Sequence, residues 1–348
     1  MKTAEDSNQR DAITPHGTII DETGRYYLVR WNSVPAVVKP VTDWGYAVWK
    51  IAPAQPEIIA ETQANGPANS VNGWALLEQV RPENVDRIVN DLVQVGAPEA
   101  GGFGSRHFAV PGNQIAADYL YQELESYGLT VWFEDFLMWD GRLLVNVVAE
   151  IPGKDKSEYY GIMAHLDSMN HDNRSLAPGA DDNASGLAVT LEVARVLASY
   201  ELEHPIRIAL VNAEEDGLYG ATAWARGLNQ NGVNMVGVYN IDSVGSVRNR
   251  PTIFTNADDK SAWMQTHLGK INTTYSLHER FENTQKEGIV ADDNFVRDQG
   301  IPAILVAREL FGANEIHHTV NDIPANVSMG GIVDTTNIIL LAMWDLAK

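Results

Sequence analysis

The chain has 348 residues, 46 of them acids against 25 Lys and Arg, and no cysteine. With 45% apolar residues it can bury a full core, and its length suits one large domain or a domain with an appendage. A formal charge of -21 argues against nucleic acid and suits cationic partners such as metal ions or ammonium groups, while zero cysteine excludes disulfides, thiolate zinc sites and Cys nucleophiles.

Residues 1–81 read as a β-rich appendage and linker. The lead at 1–16 is polar, short β-like runs follow at Tyr26–Trp31, Ala36–Val38 and Tyr46–Ile51, and 53–72 carries Pro without apolar periodicity. The six large aromatics of 17–52, namely Tyr26, Tyr27, Trp31, Trp44, Tyr46 and Trp49, need a surface to pack on. A homo-oligomer through this appendage is one expectation. The start, MKTAEDSNQRD, is no signal peptide, as expected of a mature secreted or periplasmic chain. A run of ~18 apolar residues, which a membrane span needs, is absent.

From residue 82 to 348 helices and strands alternate. Asn84–Val95 has helical spacing at Val85, Ile88, Val89, Leu92 and Val95, and Gln114–Tyr127 is a helix closed by Gly128. Strands are expected at Thr130–Phe136, Leu143–Ile151, Tyr159–Ala164, Ile206–Asn212, Val236–Ile241 and Ile301–Val306. Helices are expected at Leu187–Leu197, Leu218–Leu228 and Val327–Leu346. This alternation implies an α/β sheet with helices on both faces.

The chemistry sits where apolar runs end. Tyr159–Ala164 runs into His165-Leu-Asp167, Ile206–Ala213 into Glu214-Glu215-Asp216, and Val236–Ile241 into Asp242. Ligands of open α/β sheets bind outside the carboxyl ends of the strands. Two loops add Asp181-Asp182-Asn183 and His317-His318. Histidines and carboxylates without sulfur suit zinc or another divalent first-row metal. One carboxylate shared between two ions, with a His and a further acid for each, makes a two-metal site. Glu214, beside Glu215, is placed to move the proton. Alone, the Asp pair reads as helix N-caps and the Glu pair as first-turn acids; at the ends of buried strands the metal reading is stronger. GGFG at 101–104 is a turn, because no strand leads it into a Lys/Ser helix. His171, His204, His267 and His278 have no matching partners and read as surface.

AHLDS at 164–168, PGADDNASG at 178–186, AEEDGLYG at 213–220, NIDSVGS at 240–246 and HTVND at 318–322 occur in this order. Together they resemble the M28 family of co-catalytic zinc aminopeptidases, over about residues 82–348. The resemblance implies a three-layer α/β/α sandwich around a mixed central sheet, two Zn2+ per chain and release of N-terminal residues from peptide substrates. It implies that His165 and Asp242 hold one metal and Glu215 and His318 the other, that Asp182 bridges them, and that Glu214 is the general base. Asp167 and Asp322 take supporting places.

Two positions depart from the family pattern. Ala291-Asp292-Asp293 stands where relatives often read Ser-Asp-His: the resemblance implies a place for Asp292 beside the metal ligands or the substrate, while the His is lost at Asp293 and with it a substrate-side or supporting contact. His317 stands where some relatives have a Tyr before the last metal His. The rivals are a carboxypeptidase on the same fold, using Arg174, Arg248 or Arg308 for a substrate carboxylate, a glutaminyl cyclase-like transferase, and a binding module without catalysis.

Overall fold

A computed structural model describes residues 72–99, 101–248, 252–284, 289–308 and 315–348, together with the backbone of Gly17–Thr23 and Tyr26–Trp31. The chain divides into two units, Met1–Ile59 and Ala60–Lys348. In the first unit β1 (Gly17–Thr23) pairs antiparallel with β2 (Tyr26–Trp31), with a register shift between Ile19 and Asp21. The runs expected at Ala36–Val38 and Tyr46–Ile51, and the side chains of the six aromatics, lie outside the described residues.

The second unit is built on an eight-stranded mixed sheet. Its strands are β3 (Thr130–Leu137), β4 (Leu143–Ile151), β5 (Tyr159–His165), β6 (Ile206–Val211), β7 (Met235–Ile241), β8 (Thr252–Thr255), β9 (Arg280–Asn283) and β10 (Ala303–Ala307). They lie in the order β3-β4-β6-β5-β7-β10-β8-β9. The central β6, β5, β7 and β10 are mutually parallel, β4 is antiparallel to both β6 and β3, and β8 is antiparallel to β10 and parallel to β9. All seven residues of β5 are buried, as expected of a parallel strand covered on both faces.

Helices cover both faces, so the expected three-layer sandwich is the observed one. One core joins helices Pro82–Gln94, Pro111–Ser126, Gly186–Leu197, Ala262–Thr274 and Met329–Ala347 to the sheet through residues such as Ile88, Leu120, Leu191, Leu268 and Leu340. The opposite core places Trp224 and Leu228 of helix Tyr219–Gln230 and Val296 of helix Asp292–Asp298 on Val148, Met163 and Val238. Helix Pro82–Gln94 starts on a Pro and turns Val85, Ile88, Val89, Leu92 and Val93 inward at helical spacing. Its first turn is tied down by buried Glu192, whose carboxylate accepts the backbone N–H of Arg81 at 2.6 Å and the amide of Asn84 at 2.7 Å.

A short helix, Gly73–Leu77, precedes residue 82, where the change in sequence texture places the start of the catalytic region. Its Leu76 is fully buried in the main core. Truncating a buried Leu removes transfer energy and leaves a cavity. We expect Leu76→Ala to lower the unfolding free energy of the full chain by about 2–5 kcal/mol in urea titrations. An unchanged midpoint would mean that this helix is not part of the folding unit.

Candidate metal centre

Because β5, β6 and β7 are parallel, their carboxyl ends share one edge of the sheet. That edge receives His165 from β5, the Glu214–Glu215 turn after β6 and Asp242 after β7. The turn after β6 is tight, with left-handed φ values of 56° at Ala213 and 60° at Leu218. Asp167, two residues past β5, braces it: its carboxylate accepts the backbone N–H of Glu214 at 3.1 Å and of Glu215 at 3.3 Å. The Asp167 main-chain oxygen lies 3.2 Å from His165 Nδ1, nearer than its carboxylate at 3.7 Å. Either contact fixes the ring with Nε2 toward the cluster.

Asp182 lies in an irregular turn, Ala180–Ser185, that leads into helix Gly186–Leu197. The turn opens at Gly179, where φ is +57° and a Cβ would stand 2.3 Å from the Asp182 carbonyl oxygen, so only glycine fits. Asp322 holds the turn from the other side, accepting the N–H of Asp181 at 2.7 Å and of Asp182 at 3.0 Å. Asp181 turns away: its Oδ1 accepts the N–H of Gly245 at 2.6 Å. Asp182 therefore faces the cluster with both oxygens. Its Oδ1 is 3.0 Å from His165 Nε2, and its Oδ2 is 3.0 Å from His317 Nε2 and 3.2 Å from His318 Nε2. Asp242 Oδ1 is 3.5 Å from His165 Nε2, and Glu215 Oε2 is 2.6 Å from His318 Nε2. The five donors expected from the sequence, His165, Asp182, Glu215, Asp242 and His318, thus come together around one carboxylate.

This donor set fits divalent metal. His165 with Asp182 and Asp242, and Asp182 with His317 and His318, each place ligand atoms within 4.8 Å of one another. His165 Nε2 and Glu215 Oε1 are buried without a hydrogen bond. The charges tell the same story. Burial pushes Glu214 well above the usual carboxylate range, with His165 opposing and Asp292, Glu215 and Asp242 adding to the rise. Burial and Asp182 likewise raise Glu215. Asp182 goes the other way: burial is outweighed by His165, His317 and His318, which hold it well below. Burial would lower His318, yet Asp182 and Glu215 raise it to about 10. So many acids in so little water ionise together only against concentrated positive charge, which a bound dication would supply.

Asp292 is fully buried, with neither carboxylate oxygen hydrogen-bonded, and burial raises it well above its usual range. Asp293, at the position of the missing His, pairs with Arg297, which also donates to the carbonyls of Asn256 and Ala303. It is engaged within its own helix and its surroundings.

Two residues outside the expected set support the site, and a third, a histidine expected at the surface, is engaged elsewhere. Arg106 is fully buried and donates to the carbonyls of Leu166, Pro178 and Gly179 at 3.0, 2.6 and 2.9 Å, tying the His165 and Asp182 loops together. His171 does more than lie on the surface: its Nε2 is 3.2 Å from His318 Nδ1. His267, also read as surface, lies between Tyr239 and Asp345.

A cavity of about 460 Å³ opens over the cluster, lined by Asp182, Glu214, Glu215, Asp242, His317 and His318 and walled by Ile289, Val290, Gly217 and Leu218. Asp322→Asn tests the support beneath it. Supporting partners of a metal ligand typically contribute ~10–100-fold in affinity. We expect a loss of that order in chelator competition; an unchanged affinity would show that the turn holds Asp182 unaided.

Residues 146–343, more than half of the chain, match the family model described as peptidase family M28. The chain belongs to peptidase family M28. A probable zinc metalloprotease of Pyrenophora tritici-repentis (strain Pt-1C-BFP) is 29% identical over 235 residues, 61% of this chain and 46% of the relative. Leucine aminopeptidase 2 of Trichophyton rubrum is 26% identical over 288 residues, 75% of this chain and 57% of the relative. The chain thus spans about half the length of the curated relatives it matches. Among solved structures, the Legionella pneumophila LapA aminopeptidase superposes with a TM-score of 0.67 at 20% identity, covering 78% of this chain and 74% of that one. A Bacteroides thetaiotaomicron glutaminyl cyclase gives 0.62 at 20%, covering 77% and 98%. At such identities both likenesses concern the fold.

Proposed function

We propose that this chain is a two-zinc aminopeptidase that hydrolyses the N-terminal residue from peptides, with Glu214 as general base. The observation that carries the reading is the cavity. It brings Glu214 and Glu215 together with Asp182 and Asp242, and among the described residues its lining has no Lys or Arg. With two dications held by three of these carboxylates the wall is close to neutral, and no side-chain cation of the lining is there to hold a substrate's C-terminal carboxylate. Ile289 and Val290 offer apolar contact to a side chain.

His165, Asp182 and Asp242 would hold one zinc, and Asp182, Glu215 and His318 the other. When bound, the metals would supply Lewis acidity and a water whose pKa is lowered from 15.7 toward ~7. Glu214 takes the proton of the attacking water and later delivers it to the leaving amine nitrogen. Asp167 fixes the Glu214 backbone, and Asp322 and Arg106 fix the turn carrying Asp182.

Among the described residues the carboxypeptidase reading lacks its cation. Arg308 is fully buried, donating to Glu279 at 3.0 Å and Thr335 at 2.8 Å. Arg248 is exposed, with Glu315 at 3.6 Å, and Arg174 is exposed too. Neither lines the cavity. Against the cyclase reading stands the complete five-donor set, which a one-zinc site does not need.

The test is a metal count combined with a screen of aminoacyl-p-nitroanilides, their N-acetylated forms and a glutaminyl peptide. Two metals per chain and cleavage of free-amine substrates alone are expected. Cleavage of C-terminal residues from N-blocked peptides, or cyclisation of the glutaminyl peptide without hydrolysis, would replace this reading by one of its rivals.

A further inference from the structure

Beside the five donors stands a sixth. His317 Nε2 is 3.0 Å from Asp182 Oδ2, and His318 Nε2 is 3.2 Å from the same oxygen. The two imidazoles stack with ring centroids 3.7 Å apart and planes inclined by 22°. Consecutive residues in extended chain point to opposite sides. Here His318 has a left-handed φ of 54°, and both rings present Nε2 to one carboxylate oxygen. The arrangement is braced from behind: the N–H of His171 donates to the His318 carbonyl, and His171 Nε2 meets His318 Nδ1, each at 3.2 Å. With Nδ1 so engaged, His318 presents Nε2 to the cluster. Two donors ~2.0–2.1 Å from a tetrahedral zinc stand roughly 3.3 Å apart. The separations of the two nitrogens from Asp182 Oδ2 are of that size, and an ion between them requires the stacked rings to splay so that it lies near the plane of each.

We propose that His317 is a fourth protein ligand of the metal held by Asp182, Glu215 and His318. This rests on the two-metal reading and makes the two sites unequal. The ion on the His317 side is enclosed by two nitrogens and two carboxylates, a closed set of the kind that holds structural zinc. The ion at His165, Asp182 and Asp242 has three protein donors and keeps a position for water or substrate. The closed site fills first and releases its metal last; the three-donor site exchanges.

The absence of cysteine makes a direct test available. In His317→Cys, the only thiolate that Co2+ can meet is the introduced one, so a thiolate-to-cobalt charge-transfer band reports contact at position 317. His318→Cys serves as positive control and His171→Cys as negative control. The expected result is a band in His317→Cys at full cobalt loading. In parallel, His317→Ala should bind the tighter ion more than ~100-fold more weakly in chelator competition, since loss of a merely supporting partner costs ~10–100-fold. No band in His317→Cys with cobalt bound, or a loss inside or below that range in His317→Ala, overturns the proposal and makes His317 a hydrogen-bonding neighbour of Asp182. A single ion in the wild-type chain would sink the two-metal reading instead. The band in His317→Cys would still decide whether residue 317 touches that ion.

Discussion

Glu214→Gln is expected to lower kcat by about 10²–10⁴-fold while both metals stay bound. The substitution keeps the shape of the side chain and removes its capacity to carry a proton. Glu214 is a cavity-lining residue whose backbone is fixed by Asp167, so the amide should occupy the same place. It is outside the pairs that surround Asp182, in which Glu215 meets His318 and Asp242 meets His165. It also forms with His165 and Glu215 a group of ligand atoms within 4.8 Å of one another, so metal content has to be measured beside activity. General acid–base assistance enters twice, once at the attacking water and once at the leaving amine, so the loss should lie toward the upper end of the range. Turnover of leucyl-p-nitroanilide and elemental analysis on the same preparation decide the matter. Near-normal turnover would remove Glu214 from the reaction. Loss of a metal together with activity would make it a ligand.

His165, Glu215 and Asp242 were legible because each follows a buried apolar run, and the parallel arrangement of those runs is what alternating strands and helices produce, whereas Asp182 and His318 lie in turns and stood out only through the motifs around them. The strands Leu143–Ile151 and Ile206–Val211 and the helix Gly186–Leu197 lie close to where periodicity places them. What escaped has physical reasons. β8 and β9 have four residues each, too few for alternation to show. Helix Ala262–Thr274 buries only Met264, Leu268 and Ile271 and contains Gly269, which weakens its pattern. Helix Asp292–Asp298 begins with two buried acids and reads as polar loop. Sheet order is a long-range property: β5 lies between β6 and β7, and no local signal states it. The same holds for the supports of the site. His171 and His318 are 147 positions apart, and Arg106 is a fully buried cation in a polar stretch. Candidate ligands announce themselves by residue type and place, whereas the groups that orient them do so only after folding.

Asp181 and Asp182 are adjacent, alike and both buried, so the sequence offers little to separate them, while the fold separates them completely. Asp181 Oδ1 accepts the N–H of Gly245 at 2.6 Å and faces the hydroxyl of Ser185 at 3.3 Å. Asp182 presents one oxygen to His165 and the other to His317 and His318. Asp182→Asn should consequently be worse for metal than for fold. A carboxylate shared by two dications offsets part of their mutual repulsion, and a neutral amide does not. At least one metal is expected to leave on dialysis, and activity with it. Asp181→Asn should keep both metals and lose stability instead, by about 1.5–3 kcal/mol if the charged hydrogen bond to Gly245 is lost. Elemental analysis after dialysis and urea midpoints separate the two variants. The opposite ranking, with metal lost from Asp181→Asn and retained in Asp182→Asn, would move the shared carboxylate to Asp181 and with it the whole arrangement of the two ions.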